Sequence, residues 1–523
     1  MSRQATPSHT QVTPGDTPAS LDEHGAMRGP ARLLVIGGGG REHALAWSLA
    51  RETAVEAVLV APGSDAIGVE PKVRCFSGVS AEDPDAVVAL ARRENVDLVV
   101  VGPEAALAAG VADALIDAGI PAFGPTRAAT RIESSKAFCR EVAASAGVRM
   151  ARGRDFVALG PALAFAAELA GAPGSRGVVI KADGLMAGKG VTVCDDLAAA
   201  KTALRALFAG VSGDATADEP GRPVVVVEER LTGAEASLIA LCDDHGALAL
   251  PPARDHKRLL DDDMGPNTGG MGAYSPVPDL PDSLCATLLD VIHLPILAEL
   301  SRRGAPFRGA LYAGLMLTPE GPVLIECNAR FGDPEVQALL PRLAVPLGPL
   351  LYAAAQGDLA SAAAELGLHG RLLPTTGDAA VAVVLAAADY PEKPRKGDAI
   401  SGLAEASAAG ATVFHAGTVR DAVGTFRTSG GRVLAVVGLG TTIPAARACA
   451  EKAADLISWN GMQRRHDIAA VLPHAVSPTA AASPEPVSES AWTRGDSTVR
   501  VAPQAPPRSP GSASISTQRK GDQ

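Results

Sequence analysis

The sequence predicts a multidomain protein of mixed α/β and α+β class, and three observations support this prediction. The chain has 523 residues, 47% of them hydrophobic and 20% charged, which is enough for two to four domains with sizeable cores. Apolar strand-like runs alternate with helix-like stretches between residues 31 and 130, a pattern typical of βαβ units with a parallel sheet. A strand-rich α+β region with glycine-rich turns continues to about residue 355, and strands recur from residue 379 in a small C-terminal α/β domain.

The first predicted strand covers residues 32–36 and leads through four glycines into a helix at 42–51. A strand at 97–101 ends in Gly-Pro-Glu, at the edge of the sheet where α/β proteins bind ligands. The other elements predicted in this part are a strand at 57–61 and helices at 85–94 and 104–118.

The central and C-terminal parts alternate short apolar runs with polar loops, which predicts further strands. These strands are expected at 178–181, 191–194, 224–228, 311–317, 322–325, 380–385, 412–415 and 432–438, with a helix at 443–457.

The two ends of the chain are polar and rich in Ser, Pro, Thr and Gly or Ala, without apolar periodicity. We expect residues 1–30 and 475–523 to be disordered tails. Met27 precedes the first strand, so we also expect that translation starts there rather than at Met1.

The totals exclude several classes of protein. A net charge of −11 argues against a nucleic-acid-binding surface. The seven cysteines lack C-x-x-C spacing, so neither a zinc site nor a disulfide framework is indicated. We find no uncharged apolar run of about 18 residues and no signal-peptide pattern. We therefore expect a cytoplasmic protein that contacts small molecules, not membranes, and nothing requires more than a monomer.

A strand end carries the most informative polar residues. Glu326 and Asn328 are two residues apart, so both side chains can face one side of the strand and offer oxygen ligands to a hard cation. Arg330 follows and suits bidentate contact with a phosphate or carboxylate. Asp333 and Glu335 add negative charge. Taken alone, Glu-x-Asn also fits a solvated strand end.

Two glycine-rich segments have the composition of phosphate-binding loops. The turn at 37–40 opens a helix after a strand, so its backbone N–H groups could receive a phosphate, although a tight structural turn is the alternative. It lacks the dinucleotide fingerprint, because Glu42 and His43 stand where Gly or Ala is required. The segment 184–190 is not a Walker A loop, since Gly190 replaces the required Ser or Thr, and a mobile lid over phosphates fits it better.

Several of these stretches together resemble the phosphoribosylamine–glycine ligases of purine synthesis, a family of ATP-grasp enzymes. The resemblance rests on Leu-Ile-Glu-Cys-Asn-Ala-Arg-Phe-Gly-Asp-Pro-Glu at 324–335 and on Gly-Gly-Gly-Gly-Arg-Glu-His at 37–43. Asp-His-Lys-Arg at 255–258, followed by Gly-Pro-Asn-Thr-Gly-Gly-Met-Gly at 265–272, is its most specific part. The similarity covers about residues 32–470.

The resemblance implies ATP-dependent ligation of glycine to 5-phosphoribosylamine through a glycyl phosphate, giving glycinamide ribonucleotide, ADP and phosphate. It implies an N-terminal substrate domain at 31–134, an ATP-grasp domain at 135–355 with a lid at about 150–227, and a C-terminal domain at 356–474. Mg²⁺ or Mn²⁺ would be held by Glu326 and Asn328.

The resemblance also assigns binding and catalytic residues, several of which alone would pass for surface charges. Those implied to bind ATP are Lys136, Lys181, Gly188, Lys189, Gly190, Glu228, Glu229, Leu231 and Glu235. Those implied to bind the other substrates are Gly39, Gly40, Arg41, Glu42, Glu104, Asn267, Thr268, Gly269, Gly270 and Asp333. Catalytic roles fall to Arg330, Asp255 and Lys257, with Asp255 facing the ammonium of glycine.

Two departures from the family pattern and two rival functions stand beside this interpretation. The turn Pro-Gly-Ser-Asp-Ala at 62–66 replaces the usual Pro-Gly-Asn-Ala-Gly, and the strand at 311–317 lacks the second metal-binding carboxylate of many ATP-grasp enzymes. One rival is an ATP-grasp ligase or carboxylase with another substrate, against which the 255–258 and 265–272 motifs argue. The other is a nucleotide-binding regulatory protein without turnover.

Overall fold

The computed structural model describes residues 29–185, 190–209 and 224–470. The expected tails and the expected start at Met27 lie outside these residues. The N-terminal region is a parallel sheet with strand order β3-β2-β1-β4-β5. Its strands are β1 Arg32–Gly37, β2 Ala57–Pro62, β3 Val73–Cys75, β4 Leu98–Val101 and β5 Ala122–Phe123. Its helices are α1 Gly40–Ala50, α2 Pro84–Arg93, α3 Glu104–Ala109, α4 Val111–Asp117 and α5 Arg127–Ser134.

The helical stretch predicted at 104–118 is divided in the structure, because the chain forms α3 and α4 with a break at Gly110. Gly110 has φ +90°, a left-handed conformation that side-chain-bearing residues avoid. A Cβ at this position would lie 2.4 Å from Nη2 of Arg127, so the break is also closely packed.

A four-stranded antiparallel sheet with order β6-β9-β7-β8 follows helix α6 Lys136–Ser145. It occupies the region that the resemblance assigns to a lid. The strands are β6 Gly153–Phe156, β7 Val178–Ala182, β8 Val191–Cys194 and β9 Val225–Glu229. Helices α7 Leu159–Ala170 and α8 Leu197–Leu207 cover one face and share an apolar core with it.

The central region contains a second antiparallel sheet with order β11-β10-β16-β17. The strands of this part of the chain are β10 Ala234–Cys242, β11 Ala247–Ala249, β12 Arg254–Asp255, β13 Arg258–Leu260, β14 Met264–Asn267, β15 Gly272–Ser275, β16 Gly309–Thr318 and β17 Gly321–Asn328. Helices α9 Asp282–Leu288 and α10 Leu294–Arg302 are joined by a π-helical turn at Leu289–His293. Among the described residues, Asp282–Arg302 is long and apolar enough to cross a membrane by composition alone, but half of its apolar window is buried inside the fold, as in a core helix.

The C-terminal α/β domain has a sheet that also takes up strands from the central region. The sheet order is β12-β15-β18-β22-β19, so the loops between β12 and β15 are tied to this domain. The remaining strands are β18 Ala379–Ala386, β19 Thr412–His415, β20 Thr418–Arg420, β21 Phe426–Thr428 and β22 Arg432–Gly440. The remaining helices are α11 Glu335–Leu339, α12 Gly348–Gln356, α13 Leu359–Glu365, α14 Leu403–Ala408 and α15 Ile443–Ala454, so the predicted helix at 443–457 ends three residues early.

Candidate active site

A cleft of about 1260 Å³ lies where these regions meet. Most of the predicted site residues line it, although they come from all parts of the chain. They are Arg41, Glu104, Lys136, Lys181, Gly190, Glu228, Glu229, Leu231, Glu235, Asp255, Lys257, Asn267, Thr268, Gly269, Glu326, Asn328, Arg330 and Asp333. Four predicted substrate residues lie behind the lining, namely Gly39, Gly40, Glu42 and Gly270. Gly188 and Lys189 fall outside the described residues.

Lys181 is held at the end of β7 by buried partners. Its Nζ lies 2.7 Å from Oε2 of Glu228 on β9 and donates to the carbonyl of Ile325 at 3.1 Å. Glu228 also accepts a hydrogen bond from Nη1 of Arg140 on α6 at 2.6 Å. Lys181 and Glu228 are 5% and 4% exposed, so the ammonium group is fixed in place.

Lys136 is brought beside Lys181 by a carboxylate that caps helix α6. Asp183 accepts from the hydroxyl of Ser135 at 3.0 Å and from the backbone N–H groups of Lys136 and Ala137. A carboxylate at a helix N-terminus is favoured by the free N–H groups and by the helix dipole. Burial lowers the pKa of Lys136, against the attraction of Glu326 and Asp183. The two lysines thus line one wall of the cleft.

Lys257 also lines the cleft and lies between two carboxylates. Its Nζ is 2.9 Å from Oε2 of Glu235 and 3.8 Å from Oε1 of Glu326. Burial raises the pKa of the neighbouring Asp255 to about 7; Lys257 opposes this rise, and Glu335 adds to it. Asp255 is therefore a carboxyl group that titrates near neutral pH inside the cleft.

Glu326 and Asn328 lie on β17 and form the candidate metal site. Burial tends to raise the pKa of Glu326, but Lys257, Lys181, Lys136 and Arg330 together hold it below its usual value. Oδ1 of Asn328 is 3.5 Å from Nη2 of Arg330. Within the described ranges no cluster of three or more His, Cys, Asp or Glu could hold a metal. One carboxylate and one amide oxygen fit a cation, such as Mg²⁺, that takes its other ligands from phosphates and water.

Arg330, which follows β17, is linked to the N-terminal region by a series of alternating charges. It lies 3.0 Å from Oε1 of Glu133 and 3.4 Å from Oε2 of Glu104. Oε2 of Glu104 is also 3.9 Å from Nη1 of Arg41. Glu133 additionally accepts from the backbone N–H of Ala329 at 2.7 Å. The loop after β17 is therefore anchored at both its backbone and its charged side chain.

Glu42 and His43, which follow the first glycine-rich turn, have structural partners. Glu42 accepts from the N–H of Gly39 at 2.8 Å and from Nε of Arg41 at 2.6 Å, so it closes the turn from behind. His43 is 2% exposed, and its Nδ1 accepts from the N–H of His415 at 2.9 Å. Of this segment only Arg41 reaches the cleft lining.

The hairpin of β13 and β14 carries Lys257 at its base and is anchored by Arg465, which follows helix α15. Arg465, 1% exposed, lies 2.6 Å from both Asp263 and Asp467 and donates to the carbonyl of Arg258 at 3.3 Å. The N–H of Thr268 donates to the carbonyl of Lys257 at 2.8 Å. The hairpin is thus held on both sides.

Among the polar residues of the cleft that the sequence did not predict are Glu133, Tyr312 and Arg432. Glu133 and Arg432 sit in stretches without any motif, and only the fold brings them in. Tyr312 lies on the apolar strand β16, where its hydroxyl is 2.8 Å from Oγ of Ser237. A lone phenol in an otherwise apolar strand was a usable signal, because a buried Tyr needs a hydrogen-bond partner.

Comparison with known families gives consecutive matches along the chain. The N domain of phosphoribosylglycinamide synthetase matches residues 31–133, the ATP-grasp (A) domain matches 134–336 and the C domain matches 380–471.

Curated relatives match over nearly their full length. The chain is 47% identical to the phosphoribosylamine–glycine ligase of Streptomyces coelicolor over 443 residues, which cover 84% of this chain and 99% of that protein. It is 46% identical to the Mycobacterium leprae enzyme of the same name, over 84% of this chain and 97% of that one.

Solved structures agree in fold. The crystal structure of the phosphoribosylamine–glycine ligase of Thermotoga maritima superposes with a TM-score of 0.67 at 28% identity, over 84% of this chain and all of that one. The biotin carboxylase domain of Hydrogenobacter thermophilus 2-oxoglutarate carboxylase, solved with MgADP and bicarbonate, superposes with a TM-score of 0.58 at 14% identity, over 83% of this chain and 92% of that one. The second likeness concerns the fold alone.

Proposed function

The chain belongs to the phosphoribosylglycinamide synthetase family, and from this premise we propose how the residues of its cleft carry out the reaction. The protein is an ATP-dependent ligase that joins glycine to 5-phosphoribosylamine in purine biosynthesis. The products are glycinamide ribonucleotide, ADP and phosphate. The observation that carries the assignment of residues is the convergence of Lys136, Lys181, Lys257 and Arg330 around the single carboxylate of Glu326.

The two lysines at the ends of β7 and α6 bind the phosphates of ATP in this proposal. Both lysines line the cleft. The ammonium of Lys181 is held by Glu228, and that of Lys136 donates to the carbonyl of Gly184 at 2.9 Å. Fixed cations stabilise the charge of a transferring phosphoryl group without reorganising during the reaction. Glu229 and Leu231 would line the adenine edge, and Glu235 would accept from the ribose hydroxyls.

Glu326 and Asn328 would hold the divalent cation, Mg²⁺ or Mn²⁺. When bound, this cation would neutralise phosphate oxygens and favour phosphoryl transfer. Lys257 lies within 3.8 Å of Glu326 and adds positive charge on the same side of the cleft. The carboxylate thereby remains ionised, as metal binding requires.

The chemistry needs two bond exchanges and no nucleophilic side chain. A carboxylate oxygen of glycine attacks the γ-phosphorus, and the bond to the β-phosphate oxygen breaks to release ADP. The amine of phosphoribosylamine then attacks the carbonyl carbon of glycyl phosphate, loses one proton and displaces phosphate. In the proposal Arg330 stabilises the transferred phosphoryl group, and ionised Asp255 binds the ammonium of glycine.

The acceptor would bind beside Arg41 and Glu104, at the carboxyl ends of the N-terminal strands. Asn267, Thr268 and Gly269 face the same cleft, and Asp333 lies next to them. In the proposal the substrate domain ends at residue 134, the ATP-grasp domain covers 135–355 and the C-terminal domain covers 356–474. A monomer is also proposed, as is a cytoplasmic location, which agrees with the seven free cysteines because reducing compartments keep thiols reduced.

ADP release, measured with phosphoribosylamine generated in the assay, tests the proposal. We expect release to need both glycine and the amine and to fall at least about 100-fold in Glu326→Ala, a loss of a few kcal/mol of charge stabilisation. The matched control is Glu320→Ala, an exposed carboxylate in the turn between β16 and β17. Release driven by another carboxylate would refute the substrate, and equal activity of the two variants would refute the metal site.

A further inference from the structure

Arg432, at the start of β22 in the C-terminal domain, bridges two loops of the cleft. Its Nη2 lies 3.1 Å from Oδ2 of Asp333, and its Nη1 donates to the carbonyl of Asp333 at 2.6 Å. The same Nη1 also donates to the carbonyl of Gly269. One guanidinium therefore binds both the loop after β14 and the loop after β17.

Tyr390, from the same domain, holds the other side of the glycine loop. Its hydroxyl accepts from the N–H of Gly269 at 3.0 Å, so both polar backbone groups of Gly269 are bound by the C-terminal domain. The neighbouring Gly270 has φ +111°, and a Cβ there would lie 2.4 Å from Cδ of Pro334. The two loops are thus in close contact as well as bridged.

The two loops are connected to different sheets, so a direct contact is needed to fix their relative position. The loop after β14 continues into β15 of the C-terminal sheet, whereas the loop after β17 leaves the central sheet. Arg432 and Tyr390 both line the cleft beside Asn267 and Thr268. The lysines assigned to ATP, Lys136 and Lys181, lie on other elements and are held by Gly184 and Glu228, not by Arg432 or Tyr390.

We propose that Arg432 is a positioning residue that sets the distance between the two loops and thereby the affinity for glycine and phosphoribosylamine, but not for ATP. This inference rests on the proposed function of the cleft. The planar guanidinium can serve a carboxylate and two carbonyls at once, whereas the ammonium of lysine is a point charge on a flexible stem. A lysine should therefore restore the charge but only part of the geometry.

Steady-state kinetics of Arg432→Met and Arg432→Lys test the inference, with each substrate varied in turn. We expect the Met variant to raise the KM for glycine and for phosphoribosylamine by roughly tenfold or more, as for loss of hydrogen bonds to charged groups. The KM for ATP should change less than about twofold, and the Lys variant should lie between Met and wild type. Tyr390→Phe should shift the same two KM values in the same direction, by less.

Arg427→Met is the matched control. Arg427 also bridges a carboxylate and a loop carbonyl in the C-terminal domain, at 2.7 Å from Asp421 and 3.0 Å from the carbonyl of Gly397, but it does not line the cleft. It should leave all three KM values unchanged while costing a similar amount of thermal stability.

The outcomes separate this inference from the proposed function. A wild-type chain without glycine-dependent ADP release would refute the function itself. An active wild type whose Arg432→Lys and Tyr390→Phe variants keep all KM values, or raise that of ATP in the same proportion, would overturn the positioning role. The use of these two milder variants keeps the test decisive if Arg432→Met fails to fold.

Discussion

Replacing Asp255 with Asn should remove the pH dependence that we expect for glycine binding. Burial raises the pKa of Asp255 to about 7, with Lys257 opposing the rise and Glu335 adding to it. A carboxyl group with this pKa is half ionised at pH 7 and only about one-tenth ionised at pH 6. In the proposed function the ionised form attracts the ammonium of glycine, so kcat/KM for glycine should fall about tenfold per pH unit below pH 6.

The assay is glycine-dependent ADP release from pH 5.5 to 8.5, with kcat/KM reporting the free enzyme. Asp255→Asn should lower kcat/KM roughly 10- to 100-fold at pH 8, as expected for loss of a charged hydrogen bond, and should flatten the acid limb. Asp262→Asn is the control, since this exposed residue lies in the turn of the nearby β13–β14 hairpin. The reasoning fails if the acid limb keeps its midpoint near pH 7 in Asp255→Asn.

Two further predictions follow from buried groups. Lys181→Met keeps the aliphatic stem but removes the ammonium next to Glu228, so the KM for ATP should rise roughly 10- to 100-fold. The control is Lys452→Met at an exposed position, which should leave this KM unchanged. Equal KM values in the two variants would contradict the assignment of Lys181 to ATP. Burial lowers the pKa of His293 to about 4, so the unfolded state binds more protons between pH 6.5 and 4 and stability is lost as the pH falls through that range. In urea titrations at pH 5, His293→Gln should remove on the order of 2 kcal/mol of this loss in the free energy of unfolding. The same pH dependence of stability in the variant and the wild type would refute the prediction.

Much of the fold could be predicted because its strands are short apolar runs bounded by glycine or charge. The runs at 191–194 and 412–415 coincide with β8 and β19. The helical stretch predicted at 104–118 is helical except at the left-handed Gly110, and this break was not predicted. A glycine inside a helix-like pattern does not reveal its φ angle.

The candidate site could be predicted where its residues lie in short motifs and not where distant segments meet. Glu326, Asn328 and Arg330 share one motif. Arg432, in contrast, is 99 residues from Asp333 and 163 from Gly269, a separation over which the sequence carries no signal of contact. The sequence likewise carries no signal that the carboxylate of Asp183 caps α6 and so brings Lys136 and Lys181 together.

The anchoring of the β13–β14 hairpin by Arg465 has a consequence for how the protein is made. Arg465 follows Arg258 by 207 positions. At about 5–20 residues per second, a ribosome needs roughly 10–40 s to synthesise the intervening chain. During that interval Lys136 and Lys181 have already been synthesised, but the hairpin beside Lys257 lacks its anchor. The hairpin beside Lys257 is therefore anchored only after residue 465 has been synthesised.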